Sequence, residues 1–148
     1  MTRPLSCVKT RRASEILPMD TRQRMTVLIV DDEALLRWSI AELLRRAGHS
    51  VLEATSAADA RHTMTRSSES IDVVLLDFRL PDSNDLRLLE EVRRRLPQAA
   101  VVLMTAFGTP ETVQGAIERG AYRVVNKPFD MHDVEALVTD AYRSSRSH

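Results

Sequence analysis

Residues 26–33 read TVLIVDDE and residues 71–77 read IDVVLLD. Each is a run of valine, leucine and isoleucine that ends on carboxylates. Strands covered on both faces of a sheet read as continuous apolar runs, whereas strands with one wet face alternate. The stretch AVVLM at 100–104 is a third run of this kind. Two shorter candidates, SVLEA at 50–54 and YRVV at 122–125, carry polar residues and suit the edges of the same sheet.

Helical segments fill the gaps. Residues 33–47 hold Leu36, Ile40, Leu43 and Ala47 at helical spacing, and Gly48 closes them. A second helix runs from Ser56 or Ala57 to about Arg66, and a third covers residues 84–96 and stops at Pro97. Thr109 caps the fourth, with Pro110 at its first position and Gly120 at its end. Asp130 caps the fifth, predicted to reach about Arg143. Five strand–helix alternations predict a parallel α/β sheet with helices on both faces. The burial pattern of the strands predicts the flavodoxin-like (βα)5 three-layer sandwich, strand order 2-1-3-4-5.

Composition narrows the function. The chain has 148 residues, 21 basic and 21 acidic, so its net charge opposes general nucleic-acid binding. Its apolar runs fall far short of the roughly 20 residues that cross a bilayer, and the first 25 residues lack the apolar core of a secretory signal. The single cysteine, Cys7, excludes a disulfide framework and suits a reducing, cytoplasmic compartment. Residues 1–24 carry six basic and two acidic groups and show no sustained period. They read as a flexible basic extension ahead of a domain over 25–148: an arm for an anionic partner, or an extension from an early start codon, with Met19 and Met25 as later candidates.

In open α/β sheets the ligand site lies beyond the carboxyl ends of the strands. Asp31, Asp32 and Glu33 follow the first strand, and Asp77 the third. Thr105 and the small Ala106 follow the fourth; Asn126, Lys127 and Pro128 follow the fifth. Crowded carboxylates raise one another's pKa and call for a hard divalent cation with oxygen ligands, for which Mg²⁺ is the natural occupant. Lysine is rare here, two residues against 19 arginines, which singles out Lys127. A compact ammonium suits a phosphate oxygen or carboxylate in a tight pocket. A central carboxylate, Asp77, can attack a phosphoryl group to give an acyl phosphate while metal and lysine neutralise the oxygens. The Thr105 hydroxyl can bond a phosphoryl oxygen, and Ala106 leaves room for the donor.

The segments VLIVDDE, VVLLDFRLPDSNDL, VVLMTAFG and GAYRVVNKPFD make residues 26–143 resemble the receiver domain of bacterial two-component response regulators. The wording around Asp77 and Thr105 is similar to receivers of enhancer-binding, nitrogen-regulation-type transcription activators. The resemblance implies Asp77 as phosphoacceptor, Asp32 and Asp77 on Mg²⁺, Asp31 mainly through water, and the Arg79 backbone carbonyl as a further ligand. It implies Thr105 as the switch hydroxyl, Lys127 as the phosphate-facing lysine, and a cis Lys127–Pro128 bond. The implied donor is a sensor histidine kinase, and the implied output is the surface of the fourth helix, fifth strand and fifth helix, where a homodimer can form. Arg79 and Phe107, beside the site in sequence, are candidates to tune water access. The activators' ATPase and helix-turn-helix modules do not follow within these residues, which leaves a stand-alone receiver or one separated from its output.

Two positions depart from the pattern. Val124 stands where the family often has an aromatic residue, three before the lysine; Tyr122 lies on the same strand face by the two-residue period and is the candidate substitute. Asp85 replaces a common glycine. Trp38 falls away from the apolar stripe of the first helix, which predicts partial exposure: either packing under long neighbours or a kinase-docking contact. Two other readings have specific tests. A Mg²⁺-dependent phosphatase with an aspartyl nucleophile commonly has a general acid two residues after it, where this chain has Arg79. A non-phosphorylated interaction module is disfavoured by the intact constellation and favoured only by Val124.

Overall fold

The apolar runs form strands because valine and isoleucine, stiff at χ1, pack well on a pleated surface. In the computed structural model, which describes residues 24–146, the strands are β1 (Thr26–Val30), β2 (Ser50–Ala54), β3 (Val73–Asp77), β4 (Ala100–Thr105) and β5 (Arg123–Asn126). The helices are α1 (Ala34–Arg46), α2 (Ala57–Arg66), α3 (Arg87–Arg95), α4 (Pro110–Glu118) and α5 (Val134–Arg146), the last preceded by a 3₁₀ turn at Met131–Asp133. All pairings are parallel and the sheet order is β2-β1-β3-β4-β5. Every residue of β3 and β4 is buried, while β2 and β5 are half-covered edges. The basic extension read over 1–24 lies, apart from Arg24, outside the described residues.

Strand alternation sorts the core into two layers. Leu28, Val30, Val74, Leu76, Val101 and Leu103 face α2, α3 and α4 through Ala60, Leu89, Val92 and Ala116. Val27, Ile29, Val73, Leu75, Val102 and Met104 face α1 and α5 through Ile40, Leu44, Val134 and Val138. Each such side chain contributes about 1.5–3 kcal/mol when fully buried. A polar substitution at Val74 or Val102 therefore destabilises the sheet from within.

Local chemistry sets the boundaries. Ser56 Oγ accepts the Asp59 N–H at 3.0 Å and the Asp59 carboxylate accepts the Thr55 N–H at 2.9 Å, a reciprocal cap on α2. Thr109 Oγ1 accepts the Thr112 N–H at 3.1 Å to open α4, with Pro110 in its first turn. Gly48 and Gly120 have φ of 98° and 101°, which explains glycine after α1 and α4. The third helix begins at Arg87 and not at residue 84. Leu80 and Ser83 pair across a tight turn, and Asp85 Oδ1 accepts the Arg87 N–H at 3.0 Å, so the chain enters the helix later. The buried stripe of α1 is Ile40, Ala41 and Leu44; Leu36 and Leu43 flank it half-covered. The last helix continues to Arg146. Lys127–Pro128 is cis. Among the described residues no helix is long and apolar enough to cross a membrane.

Candidate functional site

Asp31 continues β1 by one residue, its N–H donating to the Ala54 carbonyl at 3.0 Å. Its side chain is fully buried; Oδ1 accepts the Glu33 N–H at 2.8 Å and Oδ2 accepts Lys127 Nζ at 2.8 Å. Asp77 ends β3, is 6% exposed, and accepts the Arg79 N–H on Oδ1 at 3.3 Å. Its Oδ2 is 3.4 Å from Lys127 Nζ. The Lys127 N–H donates to the Thr105 carbonyl at 2.8 Å, which ties the end of β5 to the end of β4. Glu33 Oε1 takes a third contact from the ammonium at 3.3 Å. Asp32 is exposed, yet its carboxylate closes the cluster: one oxygen each from Asp31, Asp32 and Asp77 lie within 4.8 Å of one another.

This arrangement is short of positive charge. Burial pushes the Asp77 carboxyl up to about 6, the Asp31 charge adds to that, and Lys127 works against it. For Lys127, burial pulls the ammonium's pKa down, but the hydrogen bond and charge of Asp31, with Asp77 and Glu33, outweigh it and the pKa stands above the usual lysine value. Three converging carboxylates and one amine leave net negative charge in a partly buried pocket. Hard oxygen donors in that number fit Mg²⁺, which takes carboxylates and keeps several waters.

Thr105 is 1% exposed at the end of β4, and its Oγ1 accepts the Phe107 N–H at 3.3 Å, so the hydroxyl is engaged with its own loop. Phe107 is 79% exposed beside it. Trp38 is 58% and Leu35 76% exposed, one turn apart on the outer face of α1.

The expectation for Tyr122 does not hold. Val124 packs against the layer that holds α4, whereas Tyr122 packs against the layer that holds α5. Tyr122 precedes β5, and its N–H bonds the Val101 carbonyl. The two-residue alternation governs residues within a strand and does not extend into the turn before it. Its ring lies 5.3 Å from the Arg123 guanidinium. Tyr122 therefore does not share the face of Val124.

Sequence reasoning assigned no role to Asp82 or Arg37. Asp82 Oδ1 and Oδ2 accept the Ala57 and Ala58 N–H groups at 2.8 and 3.0 Å, so the loop after Asp77 caps α2 from outside. Arg37 Nη1 donates to the Asp31 carbonyl at 2.8 Å. The Asp82 contacts have no local signal, since they join groups 25 and 24 residues apart, whereas Arg37 reaches a carbonyl six residues earlier across the β1–α1 turn.

A doubly wound parallel sheet with an acidic pocket and an opposed lysine at its carboxyl edge is the architecture of a signalling receiver. Residues 27–139 match the response regulator receiver domain, and the chain belongs to that family. It is 33% identical over 119 residues to the DNA-binding transcriptional regulator NtrC of Escherichia coli K12, covering 80% of this chain and 25% of that protein. It is 35% identical over 120 residues to the response regulator protein PilR of Pseudomonas aeruginosa, covering 81% and 26%. The receiver domain of NtrX from Brucella abortus superposes with a TM-score of 0.70 at 32% identity, covering 80% of this chain and 98% of that one. The chain spans about a quarter of the length of the curated relatives it matches. It is thus a two-component receiver, in a family whose members are typically phosphorylated on aspartate and bind Mg²⁺ at an acidic pocket. Receivers of NtrC-like regulators interact with sensor histidine kinases.

Proposed function

We propose that Asp77 is the phosphoacceptor. A carboxylate oxygen of Asp77 attacks the phosphorus of a kinase phosphohistidine; the P–N bond breaks and the imidazole nitrogen leaves with the electron pair. Asp32, Asp77 and the Arg79 carbonyl would hold Mg²⁺, with Asp31 acting through water. Bound there, the ion supplies positive charge against the phosphoryl oxygens. Lys127 adds the second positive charge on the opposite side. The observation that carries this reading is Lys127 Nζ between Asp31 and Asp77, at 2.8 and 3.4 Å, beside three converged carboxylates.

The new dianion on Asp77 competes for Lys127 with Asp31 and Glu33, and accepts the Thr105 O–H, drawing toward the site a hydroxyl whose oxygen accepts the Phe107 N–H. That competition biases α4, β5 and α5 between two arrangements, a population shift within one fold. The surface of α4, β5 and α5 is the proposed output and homodimer face, with Val124 in place of the aromatic relay. The α1 face bearing Trp38 is the proposed kinase contact. Arg79 and the exposed Phe107 flank the path of water to the acyl phosphate, whose slow self-catalysed hydrolysis ends the signal. The receiver occupies residues 25–148, works in the cytoplasm, and makes no direct nucleic-acid contact of its own.

The test is incubation with acetyl phosphate and Mg²⁺, read by intact mass. A gain of one phosphoryl group that requires the metal and disappears in Asp77→Asn is expected. No gain in the unaltered chain, or a gain that persists in Asp77→Asn, overturns the assignment.

A further inference from the structure

Arg37 touches neither phosphoryl group nor metal in the scheme above, yet its guanidinium holds two parts of the pocket's frame. Nη1 donates to the Asp31 backbone carbonyl at 2.8 Å, and Nε donates to Glu53 Oε1 on β2 at 3.0 Å. The Arg37 side chain is 16% exposed and that of Glu53 30%. Arg45 Nη2 reaches the second Glu53 oxygen at 3.2 Å, so the carboxylate that anchors Arg37 is itself held from both sides.

The carbonyl that Arg37 grips belongs to the peptide joining Asp31 to Asp32. The other groups of Asp31 are committed: its N–H to Ala54, Oδ1 to the Glu33 N–H, Oδ2 to Lys127. Among the described residues no donor is hydrogen-bonded to the Asp32 carboxylate. Its place in the cluster is therefore set by the backbone beneath it. A peptide is a rigid plane, so holding its carbonyl restrains where the next N and Cα lie and leaves only φ and the side-chain torsions of Asp32 to aim its carboxylate. The planar guanidinium fork can hold a carbonyl and a carboxylate at once; the lysine point charge has no such fork.

We propose that Arg37, anchored by Glu53, is a positioning residue for the cation pocket. It locks the Asp31–Asp32 peptide so that the Asp32 carboxylate meets those of Asp31 and Asp77. The inference rests on the reading that this pocket takes Mg²⁺. Residues that orient metal ligands without touching the ion are worth about 10–100-fold in affinity.

The experiment uses the full chain and Mg²⁺ alone, without a phosphoryl donor. Calorimetric titration compares the unaltered chain with Arg37→Lys, Arg37→Gln and Glu53→Gln. Arg37→Lys keeps the charge but loses the fork, and it is expected to weaken Mg²⁺ binding about tenfold, as is Arg37→Gln. Glu53→Gln keeps an acceptor for Nε and is expected to weaken binding less than Arg37→Lys. Amide hydrogen exchange in metal-free protein is the second readout. The Glu33 N–H, held by Asp31 Oδ1, should exchange faster in Arg37→Lys while core amides such as that of Val74 keep their protection. Mg²⁺ affinities within twofold of the unaltered chain overturn the proposal, and so does equal loss of protection at Glu33 and Val74, which marks Arg37 as a general structural support. An unaltered chain that binds no Mg²⁺ overturns the reading of the pocket itself, and the exchange comparison then judges Arg37 separately.

Discussion

Lys127 Nζ donates to Asp31 Oδ2 at 2.8 Å across 96 residues of chain, closing the site between the first and fifth strands. The Lys127 side chain is only 13% exposed and its ammonium faces two buried carboxylates. Removing one member of a buried ion pair leaves the other uncompensated. Lys127→Met is expected to lower metal-free stability by about 3 kcal/mol at neutral pH and to tighten Mg²⁺ binding several-fold, because the competing cation is gone. Urea unfolding with and without Mg²⁺ checks both. Unchanged stability together with weaker Mg²⁺ binding would contradict the geometry.

Asp77 gives the pH dependence. Its folded-state pKa, about 6, lies above the ordinary carboxylate value of 3.8. A raised folded pKa favours folding fully below the unfolded value, and that advantage is lost as pH rises through about 6. Without divalent cation, the chain should therefore lose stability between about pH 4 and pH 6 relative to Asp77→Asn. At pH 7.5 the asparagine variant should be the more stable by on the order of 2–3 kcal/mol, and Mg²⁺ should narrow the gap. Thermal unfolding of both proteins across this range measures it; equal profiles would show that Asp77 is not strained by its surroundings.

Asp82 links the loop after Asp77 to α2. Its carboxyl lies below the usual carboxylate range because the Ala58 and Ala57 N–H groups bind the anion. A depressed folded pKa stabilises above the unfolded value and is lost as pH falls through the folded one. Asp82→Ala should lower the melting temperature at pH 7, and the difference from the unaltered chain should shrink as pH drops below 4. A difference that stays constant with pH would mean that the carboxylate charge is not what caps the helix.

Gly108 tests how closely the loop after Thr105 must approach β5. A Cβ there would stand 2.9 Å from Asn126 Oδ1 and 3.1 Å from Thr105 Cγ2. Gly108→Ala should displace the loop and change the rate of aspartyl-phosphate loss, with little effect on Mg²⁺ affinity, since the metal cluster lies on β1 and β3. Hydrolysis after removal of acetyl phosphate, followed by mass, provides the comparison.

Tyr122 supplies a negative control. Its ring lies on the α5 side of the sheet, so Tyr122→Leu should leave phosphoryl acceptance and lifetime unchanged. A marked change in either would restore Tyr122 to the switch.

The layer order, the edge strands and the strand-end acids were legible because burial on two faces demands continuous apolar runs, and a ligand edge demands polar residues where those runs end. The cap of Thr109 on α4 was legible for the same local reason. The late start of α3 was not, because the Leu80–Ser83 turn is held by pairing within a loop whose sequence reads equally well as a first helical turn. Tyr122 was misplaced because alternation was carried one residue too far, past the start of β5.

What the sequence by itself determined was which side chains stand at the carboxyl edge, since each is fixed by its place at the last residue of a strand or one or two residues after it. Only tertiary structure decided their partners: that Lys127 serves Asp31, Glu33 and Asp77 together, that Asp82 caps a helix 25 residues earlier, and that Arg37 is anchored by Glu53 on the neighbouring strand. Periodicity is a property of neighbours along the chain and can be read from it. A hydrogen bond between distant segments depends on sheet register and loop path, and no local pattern records either.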